Sequence, residues 1–163
     1  MLTELQEKLA EAHALAIAAS TVTHKVEAVT PDNELKLELH SMRREADETR
    51  ARCGVLEHRF GADLAGEVLA HVNTTSEKAA DLAGAWFKAG TGPLAAWSFL
   101  AMGEAAEVAA WTALEIFAAK ADDRPLLELA AWALRIQRAH LDTAFSGAVR
   151  LAELGDPNGQ RWG

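Results

Sequence analysis

Between Trp97 and Ala118 the chain places Trp97, Leu100, Glu104, Glu107, Trp111, Leu114 and Ala118 at alternating three- and four-residue steps. That spacing marks one face of an α-helix. Every member is apolar except Glu104 and Glu107, which share the face because they lie three residues apart. A face so apolar has to be covered, and covering it takes two carboxylates out of water at about several kcal/mol per ion. Any fold that accepts the stripe must deliver a metal ion, a proton or a cationic side chain to its middle.

The rest of the chain is written for helices. It has 163 residues, half of them hydrophobic, with only four Pro and no Tyr, and Ala, Leu and Glu dominate long stretches without a breaker. The length suits one domain with a real core. The net charge of −8 excludes a basic nucleic-acid face, since Arg43 and Arg44 are offset by Glu38, Glu45, Asp47 and Glu48. Cys53 is the single cysteine and fits a reducing, cytoplasmic setting. The first residues are acidic and amphipathic, unlike a signal peptide. The apolar run from Pro93 to Ala119 holds Glu104, Glu107 and Glu115, and reads as a buried core helix and not a membrane span.

Four long helices are expected. The first runs from about Thr3 to Val29, with Thr3 and Gln6 as a capping box. The second runs from about Asn33 to Phe60 along Leu35, Leu39, Met42, Ala46, Thr49, Cys53 and Leu56, with Gly61 as its stop. A less regular stretch, Ala62 to Ala89, reads as one or two shorter helices with a weak point at Asn73-Thr74-Thr75-Ser76. Gly90-Thr91-Gly92-Pro93 is the strongest break. The third long helix covers about Leu94 to Lys120, and the fourth starts at Pro125 and ends near Leu154. The resulting expectation is all-α: a ferritin-like four-helix bundle over residues 1–155 with a long helical crossover between helices 2 and 3, then an irregular tail at 156–163.

Ferritin-like di-metal sites take a Glu from each of two helices and a Glu-x-x-His from the other two. Carboxylates bridge and neutralise two divalent ions, and imidazoles complete the coordination. This chain offers Glu11 on helix 1, Glu45 (with Glu48) on helix 2, and Glu104 and Glu107 on helix 3. Helix 4 offers Gln137-Arg138-Ala139-His140, the same spacing with Gln in place of Glu.

The segment Glu104-Ala-Ala-Glu-Val-Ala-Ala-Trp111 resembles the Glu-His-Tyr-Glu-Ile-Ala-Ala-Tyr signature of the YciE/YciF-like ferritin-like bacterial proteins. The stretches Glu48-Thr49-Arg50, Leu56 to Gly61 and Leu134 to Leu141 are similar to that family's helices 2 and 4. The resemblance implies a dimeric bundle, a di-iron centre and a stress-linked role. Ala105 and Ala106 stand where the family has His and Tyr, and Gln137 is a neutral ligand. These departures point to one metal, iron or manganese, or to none.

Competing readings stay open. The stripe can drift to the rim while Phe99, Ala106, Ala110, Ala113 and Phe117 pack instead. Gln137 and His140 can be hydrogen-bonded core residues, and Glu11, Glu45 and Glu48 solvated charges. Arg52 or Arg138 can supply the missing positive charge. The chain is then a non-enzymatic dimerising scaffold, or a small-molecule binder with its pocket between Trp97 and Trp111. The surplus of apolar residues predicts a homodimer in every case.

Overall fold

The computed structural model describes residues 1–159, leaving out the side chains of Ala62 and Asp63; residues 160–163 of the expected tail lie outside the described residues. The described chain is all-helical: α1 (Glu4–Val29), α2 (Asn33–Glu57), α3 (Ala62–Trp86), α4 (Pro93–Lys120) and α5 (Arg124–Leu154). A single 3-10 turn at His58–Phe60 follows α2.

Local chemistry sets the helix ends. Gln6 N–H donates to the Thr3 hydroxyl while Thr3 N–H donates to the Gln6 side chain. Asp32 accepts the first amides of α2. Gly61, at φ 81°, takes the left-handed conformation that ends the second segment. Pro93 opens α4, one residue before the expected start. The α4–α5 turn places Asp122 at φ 51°, and Asp123 caps α5 by accepting the Leu126 amide.

The stretch 62–89 departs from expectation. Its polar midpoint at Asn73–Ser76 does not break the helix, and α3 runs through it unbroken. The Thr74 hydroxyl donates to the Ala70 carbonyl one turn back, so it satisfies itself without opening the backbone. Val68 and Val72 are buried against Ala10 and Ala14 of α1 and hold the helix in place.

α1 packs on α2, α3 and α4, α4 packs on α5, and α2 packs on α5. Thr30, just after α1, receives a hydrogen bond from Trp97 near the start of α4, so α1 and α4 run antiparallel. Arg150 near the end of α5 bridges Asp32 and Glu34 at the start of α2, and Arg59 pairs with Asp123 at the opposite end. Thus α2 and α4 point the same way, and α3 travels back along the outside of α1 to connect them. Among the described residues no helix is long and apolar enough to cross a membrane.

Besides the small cluster between α1 and α3, two larger apolar clusters fill the interior. One gathers Leu9, Cys53, Trp111, Leu114, Leu126 and Leu134. The other gathers Val26, Leu35, Leu39, Met42, Trp97 and Leu100. Trp97 and Trp111 lie in different clusters, both fully buried. The second cluster has a tight joint. Trp97 Nε1 donates to Thr30 Oγ1 (2.9 Å), Thr30 Oγ1 donates to the Val26 carbonyl (2.7 Å), and the indole lies against Gly147 of α5.

A Cβ at position 147 would sit 2.2 Å from the Trp97 ring. Gly147→Ala is expected to lose about 1–3 kcal/mol or more in urea denaturation, despite alanine's better helix propensity. Gly103→Ala, where an added Cβ meets nothing within 4 Å, is expected to gain about 0.5–1 kcal/mol. The contrast between the two checks the joint.

Candidate functional site

A polar layer separates the two clusters. Glu104 is 1% exposed and Glu107 3%, Gln137 is 0% and His140 4%. The stripe does not drift to the rim; α4 and α5 fold against one another with their glutamates, amide and imidazole inside. Gln137 and His140 lie three residues apart on α5, as Glu104 and Glu107 do on α4, so four polar side chains face one another across a single helix pair.

The hydrogen bonding is directional. Gln137 Nε2 donates to Glu107 Oε2 at 2.8 Å. His140 Nε2 lies 2.6 Å from Glu45 Oε2 of α2, whose side chain is 43% exposed. Nδ1 on the other side of the ring is 3.5 Å from Glu104 Oε2, within ion-pairing range but without hydrogen-bond geometry. Two buried acceptors, Glu104 Oε2 and Gln137 Oε1, consequently have no hydrogen-bond partner, and neither does the buried donor Trp111 Nε1. Leaving such groups unmet costs about 1–3 kcal/mol each.

Charge decides how the layer exists without a bound ion. Burial, and then repulsion from Glu104, raise the Glu107 carboxyl well above its ordinary range. Burial pulls the His140 imidazole down, but the carboxylates of Glu104 and Glu45 outweigh it and raise its pKa. A proton on Glu107 and a cation on His140 are therefore the internal neutralisers. Neither arginine plays that part: Arg52 pairs with Glu48 at 2.7 Å and stacks 4.0 Å over the Trp132 ring, and Arg138 is exposed.

Of the six expected ligands, the structure gathers Glu45, Glu104, Glu107, Gln137 and His140. Glu11 is not among them. It pairs with Lys8 on its own helix, a third exposed. The α1 residues that share a groove with Glu104 and Glu107 are Leu15, Ala18, Ala19 and Val22, all further along the helix than Glu11, the middle pair by roughly 11 Å along the axis. Nearby hydroxyls are spent on their own helices: Thr23 donates to Ala19 O and Thr49 to Glu45 O. Among the described residues no group of three or more His, Cys, Asp or Glu side chains stands ready to hold a metal ion.

Sequence reasoning missed a second polar pair. His13 Nδ1 lies 2.8 Å from Glu57 Oε1, linking α1 to α2 with both side chains only 14% exposed. The two residues are forty-four positions apart, and no local spacing signals their meeting. Cys53 lies within the first apolar cluster, and burial, with the neighbouring Glu57 carboxylate, pushes its thiol far up, so it is a packing residue and not a nucleophile.

Comparison with protein-family models, with curated proteins and with solved structures returns no match to this chain.

The folded state holds the protons of Glu107 and His140 to higher pH than the unfolded chain does, so both groups favour folding while protonated. Stability of metal-free protein is expected to fall as pH rises from 4.5 through 6.5 and beyond, by up to about 1.4 kcal/mol per pH unit per group. Glu107→Gln is expected to remove the glutamate part of this slope, making the variant more stable than wild type near pH 8 and less distinguishable near pH 4. Urea midpoints across that range measure it.

Proposed function

We propose that this protein is a ferritin-like four-helix bundle, with α3 as its long crossover, and that its core layer binds one divalent cation. The observation that carries the reading is the pair of mutually repelling buried carboxylates, with Glu104 Oε2 and Gln137 Oε1 lacking any donor. A cation there relieves the repulsion and meets both orphaned acceptors at once.

The donor set suits one ion and not two. Glu104, Glu107 and His140 would hold it, with Gln137 and Glu45 beside it. A two-ion centre does not fit, because α1 presents Leu15, Ala18, Ala19 and Val22 at this level in place of a carboxylate, and His140 is the layer's one imidazole. Carboxylate, amide and a single imidazole favour iron or manganese over a thiolate-seeking metal. Such an ion, when bound, supplies Lewis acidity and one-electron chemistry. The chain's own contribution is to exclude water, to fix Glu107 through Gln137, and to orient the His140 ring through Glu45. The oxidant-response role rests on the resemblance to YciE/YciF-like proteins alone.

A homodimer belongs to this reading. From Leu94 to Ile116 the one charged side chain of α4 that reaches solvent is the partly buried Glu115, while Met102, Ala105, Ala109 and Ile116 are all open to solvent. Sedimentation equilibrium is expected to give twice the chain mass; a monomer at high micromolar concentration would remove the dimer.

Metal analysis of protein purified without chelator tests the centre. About one iron or manganese per chain is expected, and Glu107→Ala should weaken binding by about 10–100-fold or more. Wild-type protein that carries no stoichiometric metal and takes up none on addition of Fe(II) or Mn(II) would leave the metal-free scaffold reading, in which the proton on Glu107 and the charge on His140 suffice.

A further inference from the structure

Of the five polar side chains gathered in the layer, only that of Glu45 reaches water to any extent. Its Oε2 is held by His140 Nε2 at 2.6 Å, and its Oε1 makes no hydrogen bond among the described residues. Glu38, Glu45 and Arg52 stand at seven-residue intervals on α2 and so share one face of it. α5 runs antiparallel beside that face, and the two ends of the seam differ. At one end the Arg52 guanidinium closes it, stacked on Trp132 of α5 and paired with Glu48. At the other end a groove of about 570 Å³ opens between the helices, with Glu38 and Asp142 among its lining residues. Arg150, the one cation on this groove, is spent on Asp32 and Glu34, while Glu38 and Asp142 make no ion pair among the described residues. From Glu38 to Glu45 is about 10 Å along the helix.

These carboxylates form a line from open water to the layer. Beyond Glu45 comes the His140 ring, and beyond the ring, 3.5 Å from Nδ1, comes Glu104 Oε2, buried and without a hydrogen-bond partner. A divalent cation holds its water tightly and releases it to oxygens that take the water's place. The groove on the far side of α4 supplies none on the way in, since Val22, Leu82, Phe99 and Met102 are among its walls. Resting on the single-cation reading above, we propose that divalent cations reach the layer through the seam between α2 and α5. Glu38 and Asp142 draw the ion into the groove by their field. Glu45 offers its unbonded oxygen as the first protein ligand and passes the ion inward to Glu104 and Glu107. The His140 ring stands across that path, so its bond to Glu45 opens for the transfer.

Rates of metal uptake test the route. Mn(II), and Fe(II) in the absence of air, are each mixed with chelator-treated protein, and unbound metal is measured against time with a colorimetric chelator. Glu45→Gln keeps an acceptor for His140 Nε2 and is expected to slow uptake by at least about tenfold, a larger change than in the affinity. A residue that only orients His140 would act on release instead. Glu38→Gln with Asp142→Asn, both exposed, is expected to slow uptake by about threefold or more at low salt and to match wild type at about 0.3 M salt. Met102→Trp, which crowds the mouth of the apolar groove from a 54%-exposed position, is expected to load as fast as wild type. Glu45→Gln protein that loads at the wild-type rate or changes only in release, a double variant that loads at the wild-type rate at low salt, or slowing by Met102→Trp as large as that by Glu45→Gln would each overturn the route and leave the cation reading standing. Should Glu45→Gln fail to fold, the exposed double variant decides. Wild-type protein that takes up neither metal removes the cation reading and the route with it.

Discussion

Everything distinctive about this molecule follows from two carboxylates that have been taken out of water beside one another. Glu104 and Glu107 are a single turn apart on α4, and the apolar residues above and below them on the same face drag both inside. Hydrophobic burial of Trp97, Leu100, Trp111 and Leu114 is worth about 1.5–3 kcal/mol for each large side chain, enough to override the reluctance of the carboxyls. The protein then spends polar groups to accommodate them: Gln137 on Glu107, His140 beside Glu104, and Glu45 on the far nitrogen of His140. These partners come from α2 and α5, so the electrostatic need of α4 is met by elements on two other helices. The layer fixes which helix faces meet at that height, because each partner has only one position from which it reaches.

The accommodation is incomplete, and the incompleteness is informative. A fully satisfied network would rigidify the core and do nothing else. Here two acceptors lack donors while the neighbouring indole of Trp111 lacks an acceptor. Unmet polar atoms inside a folded protein are uncommon, and three in and around one layer mark a place where the chain tolerates energetic loss. Functional sites are where that tolerance is expected.

Much of this was readable in the one-dimensional order of residues, wherever the deciding interaction is local. Thr3, Asp32, Gly61 and Asp123 declare helix ends because a cap is made within three or four residues. The apolar stripes of α2, α4 and α5 are visible because 3.6-residue periodicity needs no partner. Reasoning faltered where geometry between helices intervenes. Glu11 has the right type and helix but the wrong height, since the offset of α1 against α4 is set by the Thr30–Trp97 joint. The polar segment at 73–76 resembles a break only if its hydroxyls compete with the helix, and Thr74 instead bonds back onto it. The pairing of His13 with Glu57 depends on the α1–α2 hairpin register and leaves no trace in either segment alone.

The thinness of α1 has a wider consequence. Ala10, Ala12, Ala14, Ala16 and Ala19 are all buried, and this helix touches three others. Alanine at these points lets three neighbours crowd one axis, so the room for change along α1 is governed by volume and hardly at all by polarity. An evolving lineage could rebuild the outward faces of α3 or α5 freely, whereas the buried alanines of α1 offer almost no silent steps. It is the spindle of the molecule, and the least negotiable part of it is also the plainest in composition.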